Sequence, residues 1–400
     1  MGRLWILWLL SLSAESQTLQ EVTLYSFEHN YQLQILEQKL AILAQQATLV
    51  ATLSDPILKL GINDLPLDNP LSRNVEAMQN QFITLSQRLP LSDKLERSSE
   101  VEYAKQALVE QEKVILKVRI ASEIRQSFIE VAFAKKRLRI LDQYIAFLKQ
   151  PLKLIVHLSA VEQNMLESYI QTQLLQEHYR LEREVSLERI AIAKEQVERI
   201  GNLQVEQFEG GVVAKNYLED DQATLLARLV LQNPELKKSA LQNVVEGKNI
   251  ALSTAKEQAD ITITGGYYQR FDREDYLSVS VSYPLYVRNR QSKEKIQAMR
   301  RADIASLSYQ ERKASLLQGL KIRLHQLHTL DRELTLLIQS QEKIRKLIDT
   351  TKAKLGSGEG SLRHYYGLFT QKTDNALAIN QKRLALALVE NQISQLLGGV

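Results

Sequence analysis

Two hydrophobic spacings alternate along the chain. Over long stretches apolar residues return every seven positions: Ile124, Val131, Leu138 and Ile145, with Ala134, Leu141 and Leu148 at a three-residue offset. The same seam recurs in Leu317, Leu320, Leu324, Leu327, Leu334 and Ile338, broken by Asp331. A 3.5-residue period specifies coiled-coil packing rather than a globular core. As helix, residues 92–157 would extend about 100 Å, so this part of the molecule is predicted to be a rod. Elsewhere the period falls to two, the signature of strands with one apolar and one polar face. In 55–63, Leu58, Leu60 and Ile62 alternate with Lys59 and Gly61; in 81–89, Ile83, Leu85 and Leu89 oppose Thr84, Ser86 and Arg88. The stretches 259–269 and 275–285 complete the set, the latter alternating Leu277, Val279, Val281, Tyr283 and Leu285 with Ser278, Ser280, Ser282 and Pro284. The predicted fold class is mainly α with a small β part, long coiled-coil hairpins plus four strands per chain.

Proline marks the joints. Pro56, Pro66, Pro70, Pro90, Pro234 and Pro284 fall beside or between strands or at a boundary, and Pro151 alone interrupts a helical pattern, predicting a kink. The chain also repeats itself. A shift of 194 residues lays 85–91 on 279–285, with Pro90 on Pro284 and Ala104 on Ala298. The expected organisation is a first repeat over 17–201 (helix, strand pair about 55–90, helical hairpin about 92–201). A connector follows over 202–233, containing Gly210 and Gly211. The second repeat covers 234–400, with its strand pair about 259–287 and its hairpin about 289–398. Gly201 and the Gly398-Gly399 pair are plausible helix stops.

The N-terminus changes the setting. Arg3 precedes an apolar run from Leu4 to Leu12, followed by small residues, so 1–16 is read as a secretory signal peptide. No later run is long enough for a spanning helix. Net charge is +4 on 51 basic and 47 acidic residues, without the basic excess of a nucleic-acid binder. There is no cysteine, hence no disulfide, thiolate metal site or lipidated N-terminal Cys.

An exported chain with four two-faced strands cannot close a barrel alone, and lipid tolerates no open strand edge. Identical chains must then share one barrel. Two copies would give an interior filled by side chains, and three would enclose a passage. The serine face then meets water and the Leu-Val face meets lipid. Tyr267, Tyr268, Phe271, Tyr276, Tyr283 and Tyr286 crowd into 267–286, as an interfacial aromatic girdle would. A small soluble sheet capping a helical rod is the competing reading.

The order of helix, strand pair, helical hairpin and connector, followed by the same three elements again, resembles the TolC-type outer membrane efflux factors over about residues 18–399. More narrowly, "LSQRLPLSDKLERSSEVEYA" and "VSVSYPLYVRNRQSKEKIQAMRRAD" resemble that family's cobalt–zinc–cadmium branch. The resemblance implies a homotrimer, with a twelve-stranded outer-membrane barrel continued by a helical periplasmic tunnel. It implies docking to a periplasmic adaptor and an inner-membrane proton-driven pump of the resistance-nodulation-division type, with heavy-metal cations as cargo. It also implies that the helical breaks at 156–165 and 354–366 are periplasmic tips that constrict the closed end. The second break matches the family's Gly-x-x-Ser-Leu turn through Gly358, Ser361 and Leu362. By position the charged candidates are Glu162, Glu359, Arg363, His364 and, deeper, Asp374. Arg363 and His364 stand where the family often has acids, so a simple acidic ring does not follow.

Other chemistry has little support. His325 and His328 lie at i, i+3, without Cys nearby to complete a metal site. No phosphate loop, Gly-x-Ser-x-Gly or His-Glu-x-x-His motif occurs, so neither a cofactor nor an enzyme is expected. The alternatives kept beside a metal duct are a duct for drugs or other small molecules, or a periplasmic coiled-coil adaptor or scaffold.

Overall fold

The computed structural model describes residues 17–159, 164–205, 208–209, 216–357, 359 and 361–399. The expected signal peptide, Glu162 and Gly358 lie outside them. In chain order the elements begin with β1 (Gln17–Thr18), α1 (Leu19–His29) and α2 (Tyr31–Ala51). Next come β2 (Ile57–Asn63), β3 (Asn80–Leu89), α3 (Lys94–Ser159) and α4 (Asn164–Gly201). Then follow β4 (Phe208–Glu209), α5 (Gln222–Gln232) and α6 (Pro234–Ala255). The last are β5 (Ile261–Gln269), β6 (Tyr276–Ser282), α7 (Arg290–Gly356) and α8 (Leu362–Leu396). The fold is thus mainly helical with four long-range antiparallel strands, as its two spacings require. The helix α3 continues through Pro151, although the ring removes one ladder donor there.

The chain forms two compact units, each drawing on both halves of the sequence. One comprises Met1–Gln34, Val114–Asn233 and Ala314–Val400, and the other Ile35–Lys113 and Pro234–Lys313. In the first, Ile124, Val131, Ala134, Leu141 and Leu148 of the first seam are buried, as are Leu320, Leu324 and Leu327 of the second. Ile338, expected to continue the second seam, is 40% exposed. The reason is geometric: a straight helix rotates about 20° per heptad away from a 3.5 repeat, so a stripe drifts off its partner.

Helix boundaries in this unit follow capping chemistry. Thr18 and Glu21 form a capping box at α1, and the Asp221 carboxylate accepts from Thr224 N–H at α5. Each half opens with an eleven-residue helix, α1 or α5, closed by an asparagine. The Asn30 amide donates to the Ile200 carbonyl at the end of α4, and the Asn233 amide to the Leu396 carbonyl at the end of α8, both at 2.8 Å. Each asparagine therefore satisfies an orphan carbonyl of its own half's return helix. Further along α8, Asn391 donates to the Ser122 carbonyl at 2.9 Å. Its neighbour Glu390 is buried, and one of its oxygens has no hydrogen-bond partner among the described residues. Burial pushes its carboxyl up to about 7.

In the second unit the sheet order is β2-β3-β5-β6, antiparallel throughout. Each strand meets a helix at the same edge: β2 follows α2, β3 leads into α3, β5 follows α6 and β6 leads into α7. The hairpin loops 64–79 and 270–275 occupy the opposite edge. β2 and β6 each have seven residues, fewer than the alternation predicts. Both are edge strands, and prolines without an N–H flank them, Pro56 directly before β2 and Pro284 two residues beyond β6. At the helix-bearing edge Asp260, only 4% exposed, receives Arg88 Nε at 2.7 Å and pairs with Lys94. Burial works against its charged form, but the ammonium and guanidinium outweigh it and hold the carboxyl below the usual range. The cluster joins β3, the start of α3 and the approach to β5.

Two expected outcomes follow. Asn233→Ala strands the Leu396 carbonyl in a half-buried site and should cost about 1–2 kcal/mol, read as a lower thermal midpoint by circular dichroism. An unchanged midpoint would show the bond to be dispensable. For Glu390 the folded-state value lies above the unfolded one, so between about pH 4.5 and 7 the folded chain holds the extra proton. Stability should therefore fall as pH rises through that window, and Glu390→Gln should flatten the fall in a urea titration series. Parallel profiles for both proteins would reject the assignment.

Candidate channel wall and tip

The pleat and register sort the sheet's side chains into two faces. Leu58, Leu60 and Ile62 share one face with Ile83, Leu85, Ile263, Tyr267, Leu277, Val279 and Val281. All of these are exposed in the single chain, Leu60 by 71% and Leu277 by 80%. The other face carries Lys59, Thr84, Ser86, Thr262, Thr264, Ser278, Ser280 and Ser282, with Ser86 and Thr264 hydroxyls 2.8 Å apart. A contiguous apolar face of this extent is not left to water by a soluble monomer. Among the described residues no helix is long and apolar enough to cross a membrane.

The register also divides the expected aromatic girdle. Tyr267 lies on the apolar face, its hydroxyl bonded to Asp275. Tyr268 and Tyr276 lie on the polar face, stacked at 4.8 Å with 4° between ring planes. Adjacent tyrosines in a strand cannot share a face. Phe271 sits in the 270–275 loop, and Tyr283 and Tyr286 follow the end of β6, all three exposed. Phe82, not singled out from the sequence, joins Tyr268 on the polar face with centroids 5.6 Å apart.

At the other candidate site, α7 ends at Gly356 and Ser361 caps α8, its hydroxyl accepting from His364 N–H at 3.4 Å. Leu362 begins α8, and the Glu359 N–H closes the turn on the Lys354 carbonyl at 3.0 Å. Glu359, Ser361, Arg363 and His364 are all exposed and gather in this one turn. Asp374 is not brought to them. Eleven residues beyond Arg363, it lies about 16 Å along the helix, where its carboxylate accepts from the Tyr179 hydroxyl at 2.5 Å. Tyr179 packs edge-on to Tyr144 at 4.8 Å, and Tyr144 in turn bonds the Thr370 hydroxyl at 2.6 Å. Burial, reinforced for Tyr179 by the Asp374 carboxylate, pushes both phenols up, so both stay neutral and Tyr179 donates to Asp374.

These two tyrosines join Leu141, Leu148 and Leu377 in one buried cluster, against which Phe147 and Phe369 pack. Phe147 stacks on Phe369 at 4.3 Å, and Tyr366 and Tyr365 extend the group. Sequence reasoning passed over these aromatics. The one available signal was Tyr144 and Phe147 at i, i+3, with Tyr366 and Phe369 at the same spacing on the return helix. His325 and His328 are both exposed, and among the described residues no group of three or more potential metal ligands occurs.

The fold is shared with solved chains that are described as outer membrane channels. No protein-family model and no curated protein matches the sequence. Solved structures do match. The chain resembles CusC, described with its transmembrane channel formation, at TM-score 0.76 and 13% identity, covering 96% of this chain and 92% of that one. It resembles the Campylobacter jejuni CmeC outer membrane channel at 0.75 and 13%, covering 95% and 85%. It resembles the Neisseria gonorrhoeae MtrE outer membrane channel in its open state at 0.74 and 14%, covering 95% and 89%.

Proposed function

We propose that the chain is one subunit of a homotrimeric outer-membrane efflux channel. Three copies close a twelve-stranded barrel, β6 of each pairing with β2 of the next. The channel is a passive, non-enzymatic exit duct from periplasm to outside. The observation that carries this reading is the sheet itself. One face is apolar and bare, and among the described residues β2 and β6 are paired on one side only. In lipid every backbone group needs a partner, and closure with further copies supplies it. The likeness in fold to CusC, CmeC and MtrE supports the same reading.

On this reading residues 1–16 direct export, and the turn around Glu359–His364, with Glu162, forms the periplasmic tip. A periplasmic adaptor grips that tip, and an inner-membrane proton-driven pump supplies the energy. The run "PLYVRNR" after the last strand, in resembling the cobalt–zinc–cadmium branch, favours heavy-metal cations as cargo. The aromatic residues on the polar face favour a second reading, in which organic molecules use the same duct.

Val279→Arg sets a cation on the lipid face and should cost about 2–4 kcal/mol at mid-bilayer, lowering the yield of detergent-extracted trimer. Ser280→Arg, on the polar face, should spare it. Equal loss from both would reverse the facing, and a monomer from the unmodified chain would sink the shared barrel. At the tip, charges from three copies act at short range in a narrow space. Glu359→Ala combined with Arg363→Ala should raise single-channel conductance in planar bilayers, whereas Glu188→Ala, at an exposed site on α4, should not. Conductance raised by the Glu188 change alone would move the constriction away from the tip.

A further inference from the structure

The register sets Gly61, Phe82, Tyr268 and Tyr276 in one row across all four strands, near the edge that carries the hairpin loops. The row interrupts a face otherwise lined by Ser, Thr, Asn63, Asn80, Lys59 and Arg88, with Ile57 near its helix-bearing end. Two glycines let its rings lie down. A Cβ at Gly61 would stand 2.4 Å from Phe82 Cζ, and one at Gly266 would stand 2.8 Å from Tyr268 Cε2. Phe82 and Tyr268 thus lie flat over the backbone instead of standing upright from it. Covering glycine explains those two rings. It does not explain Tyr276, which shields no glycine, is 40% exposed and stacks on Tyr268. The Arg270 guanidinium carbon stands over the Tyr276 ring, 5.2 Å from its centroid.

We propose that this row is a binding station for flat aromatic organic molecules at the outer end of the barrel lumen. The proposal rests on the duct reading, which makes the polar face the lumen. Three chains bring three such rows to one level of the wall. Aromatic rings recognise other rings by stacking without demanding a particular hydrogen-bond pattern. Electron-rich Tyr faces add attraction for a positive charge. Such a surface suits transient contact with many flat molecules, which a duct requires: a permeant must bind weakly enough to leave.

The test uses the purified full chain in planar bilayers, with ethidium as probe and spermidine, a flexible cation without a ring, as comparison. Ethidium should interrupt the current in resolved blocks. In the double variant Tyr268→Ser, Tyr276→Ser the block dwell time should shorten about tenfold, while spermidine acts alike on both proteins. Equal ethidium dwell times in an open channel, or no ethidium block, would overturn the station and leave the duct standing. Absence of any conductance from the unmodified chain would overturn the duct and the station together. Where the double variant forms no channel, Tyr276→Ser alone, altering an exposed ring, decides in the same way.

Discussion

The pairing of β3 with β5 is the interaction on which the rest depends. Nine consecutive partners, Gln81↔Gln269 to Leu89↔Ile261, weld two hairpins from opposite halves of the chain into one sheet with one pleat. Because side chains alternate strictly across a pleat, this register puts the apolar residues of both hairpins on a common face. A slip of one residue would oppose Val279 and Val281 to Leu85 and Ile83 across the sheet, and neither face would be apolar. The Asp260 cluster sits at the end of this pairing, where a buried carboxylate with two cationic partners penalises any other alignment.

The helices face a different constraint. Helices α3 and α7, of 66 and 67 residues, bury their seams only where a second helix keeps pace with the stripe. Polar side chains close the gaps where apolar seams do not decide position. Asn375 donates to the Leu337 carbonyl, Asn380 to that of Phe133 and Asn391 to that of Ser122. Each bond engages a carbonyl already used by its own helix, so it locks the axial position of two helices without breaking either ladder. Leucine seams alone tolerate a shift of a whole heptad; these amides do not.

The two candidate sites differ in how much the fold controls them. The turn at Glu359–His364 holds its charges in water, cap and backbone bonds fixing the chain and leaving the side chains free. The polar face of the sheet holds its aromatics rigidly, since strand register and two glycines set ring position. On the duct reading this places an adaptable charged region at the tip and a preformed apolar contact in the wall.

Local spacing alone determined much of this protein. A period of 3.5 against one of two separated helix from strand, located all four long strands and identified their apolar faces, because facing within an element depends only on neighbours in sequence. Glu359, Ser361, Arg363 and His364 were singled out by the resemblance of their break to a family turn, and, as near neighbours in sequence, they do share one turn. Only the tertiary structure decided which strands meet, and hence that Phe82, Tyr268 and Tyr276 form one row while Tyr267 turns the other way. It decided as well that Asp374 belongs to Tyr179, 195 residues earlier, and not to the tip. The Asn30 and Asn233 amides reach carbonyls 170 and 163 residues away for the same reason. Such partners are chosen by the register of distant elements, a property of packing that no spacing within one element encodes.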